Sequence, residues 1–326
     1  MVRAIRVHEY GGPEVLRWDE VELGDPLHGE VQMRQTAVGL NYIDVYSRSG
    51  LYKQDSLPFV IGMEGAGEVV AVGEGVSDLA PGDRVAYAGP IGSYAEARNI
   101  SAQRLIKVPD SVDDKTAAGM MLQGMTARYL LRATYNVGPD TTILFHAAAG
   151  GVGLIACQWA NYLGATVIGT VGSAEKAELA RNHGCHHTIN YTQENFVDKV
   201  TEITNGSGVD VVYDAVGATT FPGSLDCLKQ RGLWASFGQS SGPVPDFSIG
   251  LLGQKGSLYA TRPSLFAYTA KREDLVETAN DLFAVVGGGH VKIPINQTYA
   301  LQDAKQAHLD LEARKTTGST VLLPDA

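Results

Sequence analysis

The sequence predicts an α/β protein in which a doubly wound parallel sheet is inserted into a β-rich domain. Short apolar runs at 3–7, 31–38, 66–72 and 84–88 alternate with glycine turns, which is typical of β-structure. From 142 onward strands and helices alternate, which indicates parallel βαβ units with helices on both sheet faces. After 265 two separate α–β pieces follow, and we expect them to return to the first domain.

The individual elements follow from the same patterns. The first clear helix is predicted from near Asp113 through the region 120–131. In the alternating part we predict strands at 143–147, 166–170, 187–191, 209–215, 232–237 and 256–260. Helices are predicted between them at 151–163, 174–182, 193–203 and 219–229. The last segment is predicted to contain helices at 271–287 and 301–313 and strands at 296–300 and 319–323.

Composition and charge exclude several function classes. The chain has 326 residues and a net charge of −10, with no run of five Lys or Arg, which disfavours a nucleic-acid partner. No run of about 18 uncharged apolar residues occurs, so no membrane span is expected. The first ten residues, MVRAIRVHEY, hold no apolar signal stretch. The scattered Cys157, Cys185 and Cys227 form no CxxC pair, and we expect a reducing cytoplasm.

A glycine-rich turn follows the predicted strand at 143–147. Residues 146–153 are HAAAGGVG, and Ala148-x-Gly150-x-x-Gly153 matches the dinucleotide fingerprint except at its first glycine. Gly150 would let the backbone approach a pyrophosphate, and Gly153 would let helix and strand pack closely. The helix start would turn its N–H groups toward the anion. The alternative is a tight crossover without a ligand.

The end of the second strand indicates which dinucleotide binds. NAD enzymes place Asp or Glu there, about 20 residues after the glycines, to hold the ribose diol. Here the strand ends Gly169-Thr170-Val171-Gly172-Ser173, without a carboxylate, and Lys176 lies one helical turn on. A hydroxyl and a lysine suit the doubly anionic 2′-phosphate of NADPH. Glu175 weakens this prediction slightly, and a solvated surface lysine is the alternative for Lys176.

The chain resembles the zinc-free quinone oxidoreductases, the zeta-crystallin-like branch of the medium-chain dehydrogenases/reductases. The resemblance covers nearly the whole chain and is carried by these segments: AVGLNYIDVYSRSGLY (37–52), GMEGAGEVVAVGEGV (62–76), GDRVAY (82–87), AAAGGVG (147–153), DAVG (214–217), ASFGQSSG (235–242) and GSLYATRPSL (256–265). It implies a GroES-like catalytic domain (1–122 and 266–326) with an inserted Rossmann domain (123–265). It also implies NADPH as hydride donor, a quinone as acceptor and a homodimer joined through the Rossmann domain near 256–260.

The resemblance places Asn41, Tyr42, Tyr46 and Tyr52 in one loop region beside the nicotinamide. Asn41 would bind the ribose or a substrate oxygen, and Tyr52 would orient a substrate ring or donate a proton. Core packing or a surface loop is the alternative for the tyrosines. Arg262 and Arg314 are further candidates for binding substrate or phosphate, or else surface arginines.

The remaining cofactor-binding candidates share one predicted location, the carboxyl ends of the parallel strands, where open α/β sheets bind ligands. They are Ala149, Gly150, Gly151 and Val152 for the pyrophosphate, Gly172, Ser173, Lys176 and Tyr191 for the 2′-phosphate or its ribose, and Gly217, Phe237, Gly238, Gln239 and Ser240 near the cofactor's crossing of the sheet. Thr126 resembles a family contact on the nicotinamide side.

No metal site is predicted. The zinc-dependent relatives use a Cys in the first domain and a His in a G-H-E motif, whereas this chain has Asn41 in the first region and Met63 in Gly62-Met63-Glu64. His183, His186 and His187 cluster in sequence but follow a helix end, where we expect exposed histidines.

Three functions remain open. The first is an NADPH:quinone oxidoreductase, because a quinone is electrophilic enough to accept hydride without a Lewis acid. The second is an NADPH-dependent 2-alkenal or enoyl-thioester reductase, which shares the fold but needs a stronger proton donor. The third is a non-enzymatic RNA-binding or structural role, which the acidic charge and the cofactor residues disfavour.

Overall fold

In the computed structural model, which describes residues 1–324, the chain forms two compact units. The first comprises residues 1–125, 269–283 and 293–326, and the second comprises 126–268 and 284–292. The α/β fold class with a β-rich part and a Rossmann-type parallel sheet is confirmed. The domain limits derived from the sequence stay a proposal. In the described residues no helix is long and apolar enough to cross a membrane.

The first unit is built on two sheets. The larger has the order Ile295–Ala300, Ser319–Leu323, Glu30–Leu40, Glu64–Val72, Arg84–Ala88 and Ile106–Lys107, and Ala97–Ser101 also pairs with Glu30–Leu40. The smaller has the order Leu16–Val21, Val2–Val7 and Phe59–Val60. The longest strand of the larger sheet, Glu30–Leu40, alternates inward Val31 and Met33 with outward polar residues, as a strand with one covered face requires. Thr320 pairs with Leu40, so the chain's last strand joins this sheet as predicted.

The second unit contains a six-stranded sheet whose pairs are all parallel. Its order is His187–Asn190, Thr166–Val171, Thr142–Phe145, Val209–Asp214, Leu228–Ser236 and Tyr259–Thr261. Every residue of Val209–Asp214 is buried, because helices cover both faces of a central parallel strand.

The helices of the chain have these bounds: Tyr42–Ser49, Asp114–Ala118, Met121–Tyr129, Gly151–Tyr162, Ala174–Asn182, Phe196–Ile203, Gly223–Asp226, Gly250–Gln254, Leu265–Tyr268, Arg272–Gly287 and Ala304–Glu312. Short 3₁₀ turns occupy Pro13–Val15, Ala102–Arg104 and Leu301–Asp303, and Leu130–Thr134 is π-helical. The predicted helix at 174–182 and strand at 319–323 match the observed bounds.

Three local predictions were wrong. The predicted helix at 219–229 is reduced to Gly223–Asp226, because Thr220 is held in a turn by its hydroxyl on Asp214 (2.8 Å). The predicted strand at 256–260 begins only at Tyr259, since Gly256 and Ser257 adopt left-handed backbone angles (φ 113° and 56°). The predicted loop around Tyr42 and Tyr46 is a helix, Tyr42–Ser49.

Candidate nucleotide-binding and catalytic sites

The glycine turn of the second unit has the shape that a phosphate cradle needs. Ala147 lies in the left-handed region (φ 56°), and Gly150 is the N-cap of helix Gly151–Tyr162. A Cβ on Gly153 would lie 2.4 Å from the Ala147 carbonyl oxygen, so the turn tolerates only glycine there. The first N–H groups of this helix, from Gly151 and Val152, have no intrahelical acceptors and can bind an anion.

Ala148 replaces the first fingerprint glycine, and its surroundings explain why. The residue is buried, and its N–H donates to the Thr170 carbonyl on the neighbouring strand (3.0 Å). Its methyl group packs over Gly169, where a Cβ would come within 2.6 Å of it. The alanine is therefore accommodated because the adjacent strand has a glycine opposite it.

The end of the second strand brings together Gly172, Ser173, Lys176 and Tyr191. Ser173 is the N-cap of helix Ala174–Asn182, and its Oγ accepts the Lys176 N–H (3.3 Å). A Cβ on Gly172 would lie 2.7 Å from the Tyr191 hydroxyl, so the phenol lies directly against this glycine. Tyr191 and Lys176 are exposed and half-buried, respectively. The predicted 2′-phosphate residues thus lie at the ends of two neighbouring strands, Thr166–Val171 and His187–Asn190.

Glu175 is the one carboxylate at this strand end. Its own backbone N–H and the Ser173 side chain hold its pKa below the usual range. The carboxylate is therefore ionised near neutral pH and interacts with the Ser173 side chain.

Asp214 organises the next strand end, and sequence reasoning did not identify it as a site residue. Its Oδ1 accepts the N–H groups of Val216 (2.8 Å) and Gly217 (3.1 Å), and its Oδ2 accepts the Ser224 hydroxyl (2.8 Å). Burial raises its pKa, but nearby His146 and these donors outweigh it, so the pKa is lowered. The ionised carboxylate fixes the turn in which Gly217 has a φ of 89°.

His146, the first residue of the glycine turn, links three strand ends. It is buried, and burial lowers its pKa, although the Asp214 carboxylate opposes this shift. One ring nitrogen lies 2.9 Å from the Thr170 hydroxyl and the other 3.1 Å from the Ser224 hydroxyl, which in turn donates to Asp214. Both ring nitrogens of His146 are hydrogen-bonded, so we interpret this residue as one that positions the neighbouring strand ends.

Residues 237–240 lie beside the Asp214 turn. The N–H groups of Phe237 and Gly238 reach the Asp214 carbonyl (2.8 and 3.3 Å), and a Cβ on Gly238 would meet the Ala215 carbonyl at 2.6 Å. Arg262 donates to the carbonyl of Ser236 at the end of the same strand (2.8 Å). The further candidates brought together here are Gly217, Gln239 and Ser240. Thr126 lies apart in the chain, buried in helix Met121–Tyr129.

In the first unit, Asn41 begins helix Tyr42–Ser49 and is buried. Its Nδ2 donates to Glu64 Oε2 (2.6 Å) and its Oδ1 accepts from Gln123 Nε2 (3.1 Å). Glu64 Oε1 accepts the Leu122 N–H (2.7 Å). Burial raises the pKa of Glu64 to about 8, although these donors lower it. Sequence reasoning named Asn41 but missed both Glu64 and Gln123, which lie far from it in sequence.

The three tyrosines form one aromatic cluster. The rings of Tyr42 and Tyr46 are 5.5 Å apart, and those of Tyr46 and Tyr52 are 5.2 Å apart. Tyr46 is buried, whereas Tyr52 keeps 36% of its surface exposed. Arg314 is exposed, and its backbone lies in the left-handed region (φ 59°). Burial raises the pKa of Tyr42, and the nearby positive charge of Arg314 partly opposes this shift.

A buried hydrogen-bond chain holds the helix that carries these tyrosines. Arg48 binds Glu312 through both oxygens (2.9 Å each) and donates to His308 Nδ1 (3.0 Å). Because arginine only donates, Nδ1 accepts, and the neutral ring, whose pKa burial lowers to about 3, carries its proton on Nε2. That proton faces the Tyr94 hydroxyl (3.2 Å), which donates to Asp44 Oδ2 (3.0 Å). The helix start is thereby fixed.

Asn41 is buried and Met63 is half-buried; these are the residues at which the resemblance implies that zinc ligands have been replaced. Across residues 1–324, no group of three or more His, Cys, Asp or Glu side chains is arranged to hold a metal ion. His186 and His187 are exposed, and His183 is half-buried with Nδ1 2.7 Å from the Leu179 carbonyl.

Comparison with known proteins identifies two family models in the chain. Residues 27–110 match the alcohol dehydrogenase GroES-like domain, and residues 151–284 match the zinc-binding dehydrogenase domain. A quinone oxidoreductase of Pseudomonas aeruginosa is 52% identical over 99% of this chain and 100% of its own length. A 2-haloacrylate reductase of Burkholderia is 46% identical over the full length of both chains. The crystal structure of Escherichia coli quinone oxidoreductase complexed with NADPH matches with a TM-score of 0.97 and 50% identity, covering 99% of this chain and 100% of that one.

Proposed function

The chain belongs to the quinone oxidoreductase family, and from that premise we propose that it reduces a quinone with NADPH. The overall reaction is quinone + NADPH + H⁺ → hydroquinone + NADP⁺. NADPH supplies the hydride. One observation carries the choice of NADPH. The strand that follows the glycine turn ends without a carboxylate to bind the ribose, and Ser173, Lys176 and Tyr191 lie there instead.

For the cofactor, we propose that the N–H groups of Gly151 and Val152, next to Ala149, bind the pyrophosphate. The Gly150 N–H, which the sequence also predicted as a donor, is instead bonded to the Ala147 carbonyl (2.9 Å), so Gly150 would serve only the close approach of the backbone. Ser173 and Lys176 would bind the 2′-phosphate through a hydroxyl and a cation. The further proposed contacts are Asn41, Thr126, Gly172, Tyr191, Gly217, Phe237, Gly238, Gln239, Ser240 and Arg314.

For catalysis, we propose that Asn41 donates a hydrogen bond to an oxygen of the bound ligand. The ring cluster of Tyr42, Tyr46 and Tyr52 offers flat apolar surface for a quinone ring, and its phenols offer hydroxyl donors to the oxygen that becomes negative. Arg262 of the second unit, which donates to the Ser236 carbonyl (2.8 Å), is a further proposed catalytic residue. No Lewis acid is required in this scheme, because the quinone is itself a strong electrophile.

A panel of acceptors tests the proposal. We would follow NADPH consumption with 1,4-benzoquinone, an ortho-quinone, a 2-alkenal and crotonyl-CoA, each repeated with NADH. The proposal expects the highest kcat/KM with a quinone and NADPH. Faster turnover of the alkenal than of every quinone would contradict it.

An alkene reductase is the second candidate, and the 46% identity to a 2-haloacrylate reductase favours it. Such an enzyme must protonate carbon after hydride transfer, so it needs a positioned acid. Tyr52, partly exposed at the edge of the tyrosine cluster, is the candidate donor. Tyr52→Phe separates the two functions, since it would abolish alkene reduction but only slow quinone reduction.

We also propose a cytoplasmic homodimer that binds neither membranes nor nucleic acid. Strand Tyr259–Thr261 is at the edge of the parallel sheet, and Tyr259 is 62% exposed, which leaves an edge available for pairing with a second copy. All three cysteines are free and buried, which suits a reducing compartment. Light scattering would check the mass, and Ala260→Pro should give a monomer.

A further inference from the structure

Asn41 is held by a chain of buried side chains drawn from four separate parts of the first unit. Ser319 Oγ lies 2.8 Å from Gln123 Oε1, Gln123 Nε2 donates to Asn41 Oδ1, and Asn41 Nδ2 donates to Glu64 Oε2. Glu64 and Ser319 are fully buried, and Asn41 and Gln123 are 4% and 7% exposed. Polar groups at this depth must be hydrogen-bonded, so each amide's orientation constrains the next.

The direction of the chain follows from donor and acceptor chemistry. Ser319 Oγ lies 2.7 Å from the Gly119 carbonyl oxygen and 2.8 Å from Gln123 Oε1, and these two acceptors share its one hydroxyl hydrogen. With Gln123 Oε1 toward Ser319, the Gln123 NH₂ group faces Asn41. Asn41 must then present its oxygen to Gln123 and its NH₂ group to Glu64. A flipped Asn41 would set its NH₂ group against the Gln123 NH₂ group, so that two donors would face each other in a buried position.

Glu64 closes the chain with both of its carboxyl oxygens. Oε2 accepts from Asn41 Nδ2 (2.6 Å) and Oε1 accepts from the Leu122 N–H (2.7 Å). The strand residue Gly39 makes room for it, because a Cβ there would lie 2.4 Å from Glu64 Oε2. Sequence, packing and hydrogen bonding therefore converge on one orientation of the Asn41 carboxamide.

Within this row of hydrogen-bonded side chains, Asn41 Nδ2 donates one of its two hydrogens, to Glu64. We propose that Gln123, Glu64 and Ser319 are positioning residues that lock the Asn41 carboxamide so that its second N–H donates to an oxygen of the bound ligand. This inference rests on the proposed function. The oxygen belongs either to the ribose of the cofactor or to the quinone, and the two sources affect different measured constants.

A double-mutant cycle on the full-length protein tests the proposal. Gln123→Leu replaces the side chain with an apolar one of similar size and removes the donor to Asn41. It should either raise the Kd for NADPH or lower kcat/KM for the quinone about 10- to 100-fold, the cost of misplacing a reacting group by about 1 Å. Asn41→Ala should cost at least as much. In the Asn41→Ala background, Gln123→Leu should cost less than about threefold more, because the group it positions is already gone.

Gln35→Leu is the matched control. Gln35 is a buried glutamine in the same unit, but its Nε2 binds the carbonyls of Ser93 and Ala95 (2.7 Å each) rather than Asn41. Gln35→Leu, like Gln123→Leu, loses buried hydrogen bonds and stability. The folded variant should nevertheless keep the wild-type Kd for NADPH and kcat/KM for the quinone within about threefold, because Gln35 does not contact Asn41. Ser319→Ala, which frees Gln123 to rotate, should fall between the wild type and Gln123→Leu.

Two constants identify the ligand oxygen. The Kd for NADPH, from quenching of tryptophan fluorescence, rises in Asn41→Ala and Gln123→Leu if the oxygen belongs to the ribose. If it belongs to the quinone, the Kd stays constant and kcat/KM for the quinone falls. Wild-type protein that binds NADPH but reduces no quinone would refute the proposed function. The double-mutant cycle, measured by the Kd for NADPH, would still test whether Gln123 positions Asn41. Additive effects of Asn41→Ala and Gln123→Leu, or no effect of Asn41→Ala on either constant, would overturn it.

Discussion

Glu64 makes the stability of the first unit depend on pH, and Glu64→Gln should remove that dependence. Burial raises the pKa of Glu64 from 4.5 to about 8. Between these two pH values the folded protein keeps a proton that the unfolded chain has released. The unfolded state binds fewer protons, so the free energy of unfolding falls as pH rises through this window.

The magnitude follows from the size of the shift. A difference of about 3.5 pKa units at 1.36 kcal/mol per unit corresponds to about 5 kcal/mol between pH 4.5 and pH 8. The contribution is fully present below pH 4.5 and lost above pH 8. Asp44, whose pKa burial raises to about 7, adds a slope of the same sign in both proteins, and its charge is one of the causes that raise the pKa of Glu64.

Urea unfolding of the wild type and Glu64→Gln at several pH values between 4.5 and 8.5 measures this difference. Trp18 is the tryptophan of the first unit, so Trp159→Phe and Trp234→Phe in both proteins would restrict the fluorescence signal to that unit. We expect the stability of the wild type relative to Glu64→Gln to fall by about 5 kcal/mol across the window. Parallel pH curves for the two proteins would refute the assignment of a raised pKa to Glu64.

Three further predictions concern the second unit. Lys176→Ala should raise the KM for NADPH about 10- to 100-fold and leave that for NADH almost unchanged, because only NADPH has the 2′-phosphate; equal effects on both cofactors would refute the assignment. Glu175→Gln should lower the Kd for NADPH about threefold at low salt, since a competing carboxylate is neutralised; titrations at low and high salt check this, and a weaker Kd would count against it. Gly153→Ala should weaken binding of both cofactors, because its Cβ would meet the Ala147 carbonyl oxygen at 2.4 Å, and a wild-type Kd measured by calorimetry would contradict that.

Much of the second unit could be predicted because its signals are local. A parallel strand buried on both faces is a continuous apolar run, and glycine marks the turns where the backbone has no room. The helix predicted at 219–229 failed because the decisive contact, Thr220 on Asp214, joins a turn to a strand end. Apolar spacing contains no information about such a side-chain bond.

The first-unit site could be predicted only in part. Asn41 and the tyrosines lie within one short segment, and a resemblance in sequence identified them. Gln123 and Ser319 complete the same cluster, but they are 82 and 278 residues from Asn41 in the chain (123 − 41 and 319 − 41), and only the folded sheet brings them together. A buried glutamine or serine has no sequence pattern that distinguishes it from a surface one.

The central claim is that this protein transfers hydride from NADPH to a quinone. The most direct measurement is kcat/KM for 1,4-benzoquinone with NADPH and with NADH, in the wild type and in Lys176→Ala. We predict a preference for NADPH in the wild type that is largely lost in Lys176→Ala, with the NADH rate unchanged. Equal use of both cofactors by the wild type, or no quinone turnover with either, would contradict the claim.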